Sequence, residues 1–203
     1  SGDGAFDDLI ALVETTGSSS PHDFIQFSDE WIQTDEFMDW YWLVQMSIAY
    51  DSAGKNAYLY NDPTDDQPFR FVPWDFNHSW GQDWRTFRTS HDNDEDLTDT
   101  NAIFAHLLWG DPESLTARYA EMRADGPLAD SSLLGTIDDY WRDLSPAIER
   151  DWEMWGPSHQ SYSSWAGTRS AYGDWTTPAE ERAYIEEWIV SRGAFLDELM
   201  RED

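Results

Sequence analysis

Cysteine is absent from this 203-residue sequence, lysine occurs only once, and no apolar run approaches the length of a membrane span. Without cysteine the chain can form neither a disulfide bond nor a thiolate metal site. No signal-peptide pattern opens the chain. These absences favour a globular chain that does not insert into a membrane.

Basic residues are scarce relative to acids, since 12 Lys and Arg face 41 Asp and Glu for a formal net charge of −29. Such a charge repels nucleic acid phosphates and anionic lipids, so we expect basic or metal-bearing partners and no nucleic acid. The aromatic content of 16% argues against intrinsic disorder. We interpret the acids as a solvated shell over an aromatic core. Every basic residue except Lys55 is arginine, which we interpret as a halophilic adaptation.

The hydrophobic pattern predicts one mainly helical α+β domain over residues 1–203. Helical spacing predicts helices over residues 3–16, 35–50, 102–109, 115–124, 131–155 and 177–200. Most tryptophans, Trp40 and Trp109 among them, lie on these predicted helices and are expected in the core. The sequence Thr177-Pro178-Ala179-Glu180 predicts a capping box at the start of the last helix. Two β-type runs at 57–60 and 69–72, separated by turn-forming residues, predict a short antiparallel hairpin. Residues 76–100 and 156–175 lack periodicity and are predicted to be loops.

Four polar side chains flank the predicted hairpin. Asn56 immediately precedes its first strand, Asp75 follows its second, and Asp51 and Lys55 lie in the loop before it. Antiparallel pairing brings Asn56 and Asp75 to the same end, where hard oxygen ligands suit a Mg²⁺ ion that carries nucleotide phosphates. Protein kinases place their catalytic aspartate, a magnesium ligand and a metal-binding aspartate in this same order. Each motif alone is unspecific in so acidic a chain, and the hairpin between them adds the specificity.

Two longer motifs surround these positions, Asn56-Ala57-Tyr58-Leu59-Tyr60 and Phe71-Val72-Pro73-Trp74-Asp75-Phe76-Asn77-His78-Ser79-Trp80-Gly81. Together with the apolar helix before Asp51, they resemble the CotH family of spore coat protein kinases, and the likeness extends less specifically to the later helices. The resemblance implies a kinase-like large lobe whose active-site residues lie on the hairpin. It also implies ATP with Mg²⁺ or Mn²⁺ as cofactors and a Ser/Thr-containing protein substrate. Asp51 is then the catalytic aspartate, and Asn56 and Asp75 are metal ligands that hold the nucleotide.

The chain departs from that family's pattern at two points. The acid that commonly stands two positions after Asp75 is replaced by Asn77, which offers an oxygen to the metal but no charge. A kinase of this type also needs a lysine on a small-lobe strand, whereas the one lysine here, Lys55, lies in the catalytic loop. We therefore expect the chain to be the large lobe of a longer protein, without its N-terminal lobe, and inactive by itself.

Two interpretations of function remain open. In the first, Asp51 and Lys55 are catalytic and the metal is held by Asn56, Asp75 and Asn77, although Lys55 is equally well explained as an ordinary surface lysine. Asparagine and aspartate are also common as cap and turn residues at hairpin ends. In the second, the chain is a non-catalytic kinase-like binding module at the cell surface. It would use its acidic surface and the aromatic residues in or beside loop 156–175, which are Trp155, Tyr162, Trp165, Tyr172 and Trp175. The family resemblance alone points to an exported or cell-surface parent protein.

Overall fold

The structure, a computed structural model, describes residues 4–62, 67–83, 88–94, 97–161, 163–164, 167–168 and 177–202. Its α-helices are α1 (Gly4–Ser18), α2 (Pro21–Gln26), α3 (Thr34–Ser47), α4 (Tyr50–Gly54), α5 (Ala102–Gly110), α6 (Pro112–Ala124), α7 (Asp130–Ser161) and α8 (Pro178–Glu202). The strands β1 (Ala57–Tyr60) and β2 (Arg70–Pro73) form one two-stranded sheet, and β3 (Ser163–Ser164) and β4 (Gly167–Thr168) form another. The predicted class, α+β with helices predominating, is confirmed.

The chain divides into two compact units. The first comprises residues 1–45, 49–76 and 94–122, and the second comprises residues 46–48, 77–93 and 123–203. The prediction of one domain over residues 1–203 stays a prediction.

Helix α3 supplies much of the core of the first unit, as its nearly all-round apolar sequence predicts. Phe37, Trp40 and Trp42 are all buried. The Trp40 ring packs edge-on against Phe104 of α5 at 4.8 Å between ring centroids. The Trp42 indole N–H donates to the Leu115 carbonyl of α6 at 2.8 Å. Helix α3 therefore contacts both α5 and α6 in the first unit.

The predicted hairpin is confirmed, with β2 shifted by one residue. Strands β1 and β2 pair antiparallel from Ala57 opposite Pro73 to Tyr60 opposite Arg70. The inner face of β2 lies on α3, because Phe71 stacks on Trp40 with a centroid distance of 4.1 Å and an interplanar angle of 6°. This stacking gives the short hairpin an apolar support that an isolated two-stranded ribbon lacks.

The second unit is organised around α8. Its Trp188 indole N–H donates to the Met46 carbonyl at 3.0 Å. The buried Arg192 guanidinium donates to the His91 carbonyl at 2.9 Å, which satisfies part of its hydrogen-bonding capacity inside the protein. Arg123 donates from Nε to Asp197 at 3.1 Å. These polar contacts hold Met46, the irregular segment around His91, and Arg123 to one helix.

Two predicted element boundaries are wrong. The helix predicted over residues 35–50 ends at Ser47, and a new short helix begins at Tyr50. Between them Ile48 has a positive φ of 48°, which a β-branched residue rarely adopts. Ile48 is also buried, so tertiary packing holds this break against local preference. Helix α7 continues through Gly156 and Pro157 to Ser161, where a loop was predicted.

The predicted burial of one tryptophan is wrong. Trp109 was expected in the core with the other helical tryptophans, but 60% of its surface is exposed. Of the aromatic residues around 156–175, Trp155 is exposed, and Tyr162, Trp165, Tyr172 and Trp175 lie outside the described residues. Within the described part of the chain, no helix is both long and apolar enough to span a membrane.

Candidate functional site

Asp51 lies in α4, a helix of five residues that leads directly into the hairpin. The Asp51 carbonyl accepts hydrogen bonds from the backbone N–H groups of Lys55 at 3.0 Å and Asn56 at 2.8 Å. These bonds close the turn between α4 and β1. The segment from Asp51 to Asn56 is therefore one compact backbone unit. Its hydrogen bonds hold the two end residues, Asp51 and Asn56, close together in space.

Asn56 and Asp75 meet at the end of the hairpin opposite its connecting turn. The Asn56 side-chain N–H₂ group donates to the Asp75 backbone carbonyl at 3.4 Å. The buried Ser52 hydroxyl donates to the same carbonyl at 3.5 Å. Asp75 has a positive φ of 56°, a conformation that aspartate tolerates better than most residues. The chain thus turns sharply at Asp75, and that turn lies against the Asp51–Asn56 segment.

The donor role of the Asn56 amide nitrogen fixes the orientation of its side chain. A carbonyl oxygen can only accept, so the amide group that faces Asp75 must be the N–H₂ group and the Oδ1 atom points elsewhere. The Asp75 carboxylate is exposed and forms no hydrogen bond or ion pair with any described residue. One amide oxygen and one carboxylate therefore offer hard oxygen ligands at the same end of the hairpin.

Asp51 and Lys55 form an ion pair across one turn of the chain. The Lys55 ammonium lies 2.9 Å from the Asp51 Oδ2 atom, with 68% of the lysine side chain and 35% of the aspartate side chain exposed. Both groups are accessible to solvent, so the pair adds little to stability. It does hold a positive charge beside the predicted catalytic carboxylate.

Asn77, the third predicted metal ligand, is exposed and belongs to the second unit. Its role as a ligand stays a prediction. The block that contains it ends at Gly81, whose φ is +73° and whose N–H donates to the Ser47 carbonyl at 3.1 Å. A β-carbon at Gly81 would lie 2.1 Å from the Trp188 ring, so this position in the motif requires glycine for packing.

A family model described as "CotH kinase protein" matches residues 1–196 of the chain. The chain belongs to the CotH kinase family. Membership makes the protein kinase-like and places it with the transferases. No curated protein matches the chain significantly.

CotH kinase family membership suggests ATP and a divalent cation as cofactors. Among the described residues, no three His, Asp or Glu side chains cluster closely enough to hold a metal ion unaided. A nucleotide-bound Mg²⁺ needs fewer protein ligands, because phosphate oxygens and water complete its coordination around one or two of them. The Asn56 amide oxygen and the Asp75 carboxylate match that requirement in number and in chemistry.

Sequence reasoning missed two residues whose hydrogen bonds hold the backbone of the site in place. Trp40 was assigned only to the core, yet its indole N–H donates to the Ser52 carbonyl at 2.9 Å. The Asn101 side-chain N–H₂ group donates to the Ala53 carbonyl at 2.8 Å. Asparagine just before an apolar helix does signal a helix N-cap. Nothing in the sequence spacing links it to a carbonyl of α4, 48 residues earlier.

A separate cavity of about 400 Å³ lies in the first unit, and none of the predicted site residues lines it. Its walls include Asp29, Asp35, Asp111 and Glu121. Arg118 in the same cavity pairs with Asp39 at 2.6 Å, and the hydrogen bond to that carboxylate raises the pKa of the guanidinium although burial acts to lower it. The high acid content of this cavity follows that of the whole chain.

Proposed function

We propose that this chain carries the ATP- and metal-handling groups of a protein kinase that phosphorylates serine or threonine hydroxyls. The proposal rests above all on the meeting of Asn56 and Asp75 at one end of the hairpin, beside the turn that begins with Asp51. Membership of the CotH kinase family supports the same reaction class. When bound, ATP with Mg²⁺ or Mn²⁺ supplies the phosphoryl group and the cation that offsets its negative charge.

Asp51 is the residue that we assign to the acceptor hydroxyl. Its carboxylate would accept a hydrogen bond from that hydroxyl, orient the oxygen, and take the proton as the oxygen bonds to the γ-phosphorus of ATP and the bond from that phosphorus to the leaving ADP breaks. The partial exposure of Asp51 supports this role because a protein substrate must reach it. Lys55 holds a positive charge next to this carboxylate, where it can face the negatively charged phosphoryl group during transfer.

Asn56 and Asp75 are the residues that we assign to the cation. The Asn56 Oδ1 atom and the Asp75 carboxylate would bind it, and Asn77 is a third candidate whose neutral oxygen adds no charge. Phosphoryl transfer depends mostly on positioning and charge stabilisation. The loss of one ligand should therefore affect nucleotide binding and turnover far more than it affects folding.

The proposal is tested by Asp75→Asn, with Asp125→Asn as the matched control at an exposed turn aspartate. Both variants lose one negative charge, so a general charge effect changes both equally. We expect Asp75→Asn to lose magnesium-dependent ATP binding by at least tenfold in a calorimetric titration, with an unchanged melting temperature. The Asp125→Asn variant should bind as the wild type does.

Phosphoryl transfer is measured with labelled ATP, Mg²⁺ or Mn²⁺ and a serine-rich protein acceptor. Label should reach the acceptor with the wild type in the context of the full-length parent protein and should be lost in Asp51→Asn. Equal ATP affinity in the Asp75→Asn and wild-type proteins would contradict the metal assignment. Transfer that is unchanged in Asp51→Asn would contradict the catalytic one.

The alternative function is a kinase-like binding module without turnover. One observation favours it, namely the exposed aromatic side chains of Tyr58 and Trp74, each 57% exposed and in edge contact at 5.7 Å. Exposed aromatic pairs are common in binding surfaces. Under this alternative the protein binds a partner through this face, and neither Asp75→Asn nor Asp51→Asn changes that binding.

A further inference from the structure

Three successive residues of α4, the single helical turn that leads through Lys55 and Asn56 into β1, are held from outside that turn. The Ser52 carbonyl accepts from the Trp40 indole N–H at 2.9 Å, and the Ala53 carbonyl accepts from the Asn101 amide at 2.8 Å. At Gly54 an added β-carbon would lie 2.5 Å from the Thr100 carbonyl oxygen. The turn is thus held by α3 on one side and by the start of α5 on the other.

Trp40 also links this turn to the hairpin. Its ring stacks on Phe71 of β2 at 4.1 Å, and β2 leads through Pro73 to Asp75. One buried side chain therefore touches the backbone next to Asp51 and the strand that carries Asp75 into place. Because its N–H and its ring face act on different segments, Trp40 fixes how the two segments lie with respect to each other.

Asn101 has two functions that can be separated. Its Oδ1 atom accepts from the Ile103 N–H at 2.9 Å and caps α5, while its N–H₂ group reaches the Ala53 carbonyl. A serine at this position would keep the cap. It would lose the hydrogen bond to Ala53, because the serine side chain is shorter and has no second polar group to reach that carbonyl while the hydroxyl caps the helix.

We propose that Trp40 and Asn101 are positioning residues for catalysis. They clamp consecutive carbonyls of the Asp51–Asn56 turn and so set the geometry of Asp51 and Asn56 relative to Asp75. This inference rests on the proposed function, because it assumes that these three residues act together in phosphoryl transfer. Neither Trp40, which is buried, nor Asn101 needs to contact substrate for this role. A displacement of catalytic groups by about 1 Å can lower a rate about a hundredfold.

The test compares Trp40→Phe and Asn101→Ser with Trp42→Phe as the matched control. Trp42 lies on the same helix, is also buried, and donates its indole N–H to a backbone carbonyl at 2.8 Å. That carbonyl belongs to Leu115 and not to the catalytic turn. Trp42→Phe therefore carries the same substitution and loses the same kind of hydrogen bond, without touching the clamp.

We expect kcat to fall by about tenfold to a hundredfold in Trp40→Phe and in Asn101→Ser, with the KM for the protein acceptor unchanged. Trp42→Phe should stay within about twofold of the wild type. Each protein is assayed in its full-length form, well below its own melting temperature, so that lost stability does not lower the folded fraction. Equal losses in the two tryptophan variants, or no loss in Asn101→Ser and Trp40→Phe, would overturn the proposal.

Hydrogen exchange separates this inference from the proposed function. The Lys55 and Asn56 amides donate to the Asp51 carbonyl within the clamped turn, so they should exchange faster in Trp40→Phe and Asn101→Ser but not in Trp42→Phe. If the wild type transfers no phosphate, the proposed function fails, and this exchange pattern still decides whether the clamp exists. Unchanged exchange at both amides would refute the clamp whatever the activity.

Discussion

At the scale of single residues, Gly81 shows how a motif residue can serve packing rather than chemistry. Its φ is +73°, and a β-carbon there would meet the Trp188 ring at 2.1 Å. We expect Gly81→Ala to lower the free energy of unfolding by about 2–4 kcal/mol, because it combines backbone strain with overpacking. Urea denaturation followed by circular dichroism measures this loss.

Gly17→Ala is the control for this prediction. Gly17 lies inside α1, and a β-carbon at that position would meet nothing within 4 Å. Alanine should therefore stabilise the protein by about 0.5–1 kcal/mol through its higher helix propensity. If both variants lose stability to the same extent, close packing at Gly81 is not the cause.

Lys55 tests whether a residue is needed for its charge or is only tolerated on the surface. Its ammonium lies 2.9 Å from Asp51, and its side chain is 68% exposed. Lys55→Gln should leave the melting temperature unchanged but lower phosphoryl transfer at least tenfold, because the positive charge beside the carboxylate is lost. Lys55→Arg should retain part of the rate, since it keeps the charge.

Arg142→Gln is the matched control for Lys55→Gln. Arg142 is also exposed and forms a local ion pair, with Asp139 at 2.7 Å. Its replacement removes the same unit of charge from an already acidic protein and should leave the rate unchanged. A similar fall in rate in both variants would identify net charge, and not the position of Lys55, as the cause.

At the scale of elements, the capping box of α8 is a local feature that the sequence predicted and the structure confirms. The Thr177 N–H donates to the Glu180 carboxylate at 2.8 Å, and the Glu180 N–H donates to the Thr177 hydroxyl at 3.4 Å. Hydrogen bonds from the Thr177 backbone and then from its hydroxyl hold the pKa of Glu180 below its ordinary value. The ionised form of Glu180 is therefore the one that the folded state favours.

This pKa shift predicts how stability depends on pH. A carboxylate with a lowered pKa stabilises the folded state above its unfolded pKa, and the contribution is lost as the pH falls through the folded pKa. The melting temperature of Glu180→Gln should therefore lie below that of the wild type at pH 7, and the difference should shrink as the pH falls below the ordinary glutamate pKa of about 4.3. A difference that is constant over this range would show that ionisation of Glu180 is not involved.

The ends of α3 and α7 could not be predicted from the local sequence, although both helices could. Periodicity identified both helices, because apolar residues recur at helical spacing in each. It could not place the break at Ile48, whose positive φ is held by burial. Nor did it extend α7 past Gly156, because glycine and proline there indicate a helix end by local rules, and the helix continues to Ser161.

At the scale of the whole molecule, the net charge of −29 predicts a strong response to salt. Self-repulsion destabilises the compact state, and screening shortens the Debye length from about 10 Å at 0.1 M to about 3 Å at 1 M salt. The melting temperature should therefore rise as sodium chloride increases across this range. Thermal unfolding followed by circular dichroism at each concentration measures the effect.

Repeating the titration near pH 4 provides the control. Many of the carboxylates are protonated near this pH, so there is less repulsion for salt to screen. The rise in melting temperature should be smaller there than at pH 7. An equal response at both pH values would attribute the effect to salt acting on hydrophobic burial and not to screening.

The sequence by itself determined the family, the helical class, the hairpin and the candidate residues at its ends, because each depends on short-range spacing or on local motifs. Asn56 and Asp75 meet because antiparallel pairing over four residues requires it. Only the tertiary structure decided what holds them there. The Trp40 and Asn101 contacts with the Ser52 and Ala53 carbonyls join residues 12 and 48 positions apart, and no local periodicity specifies which distant donor meets which carbonyl.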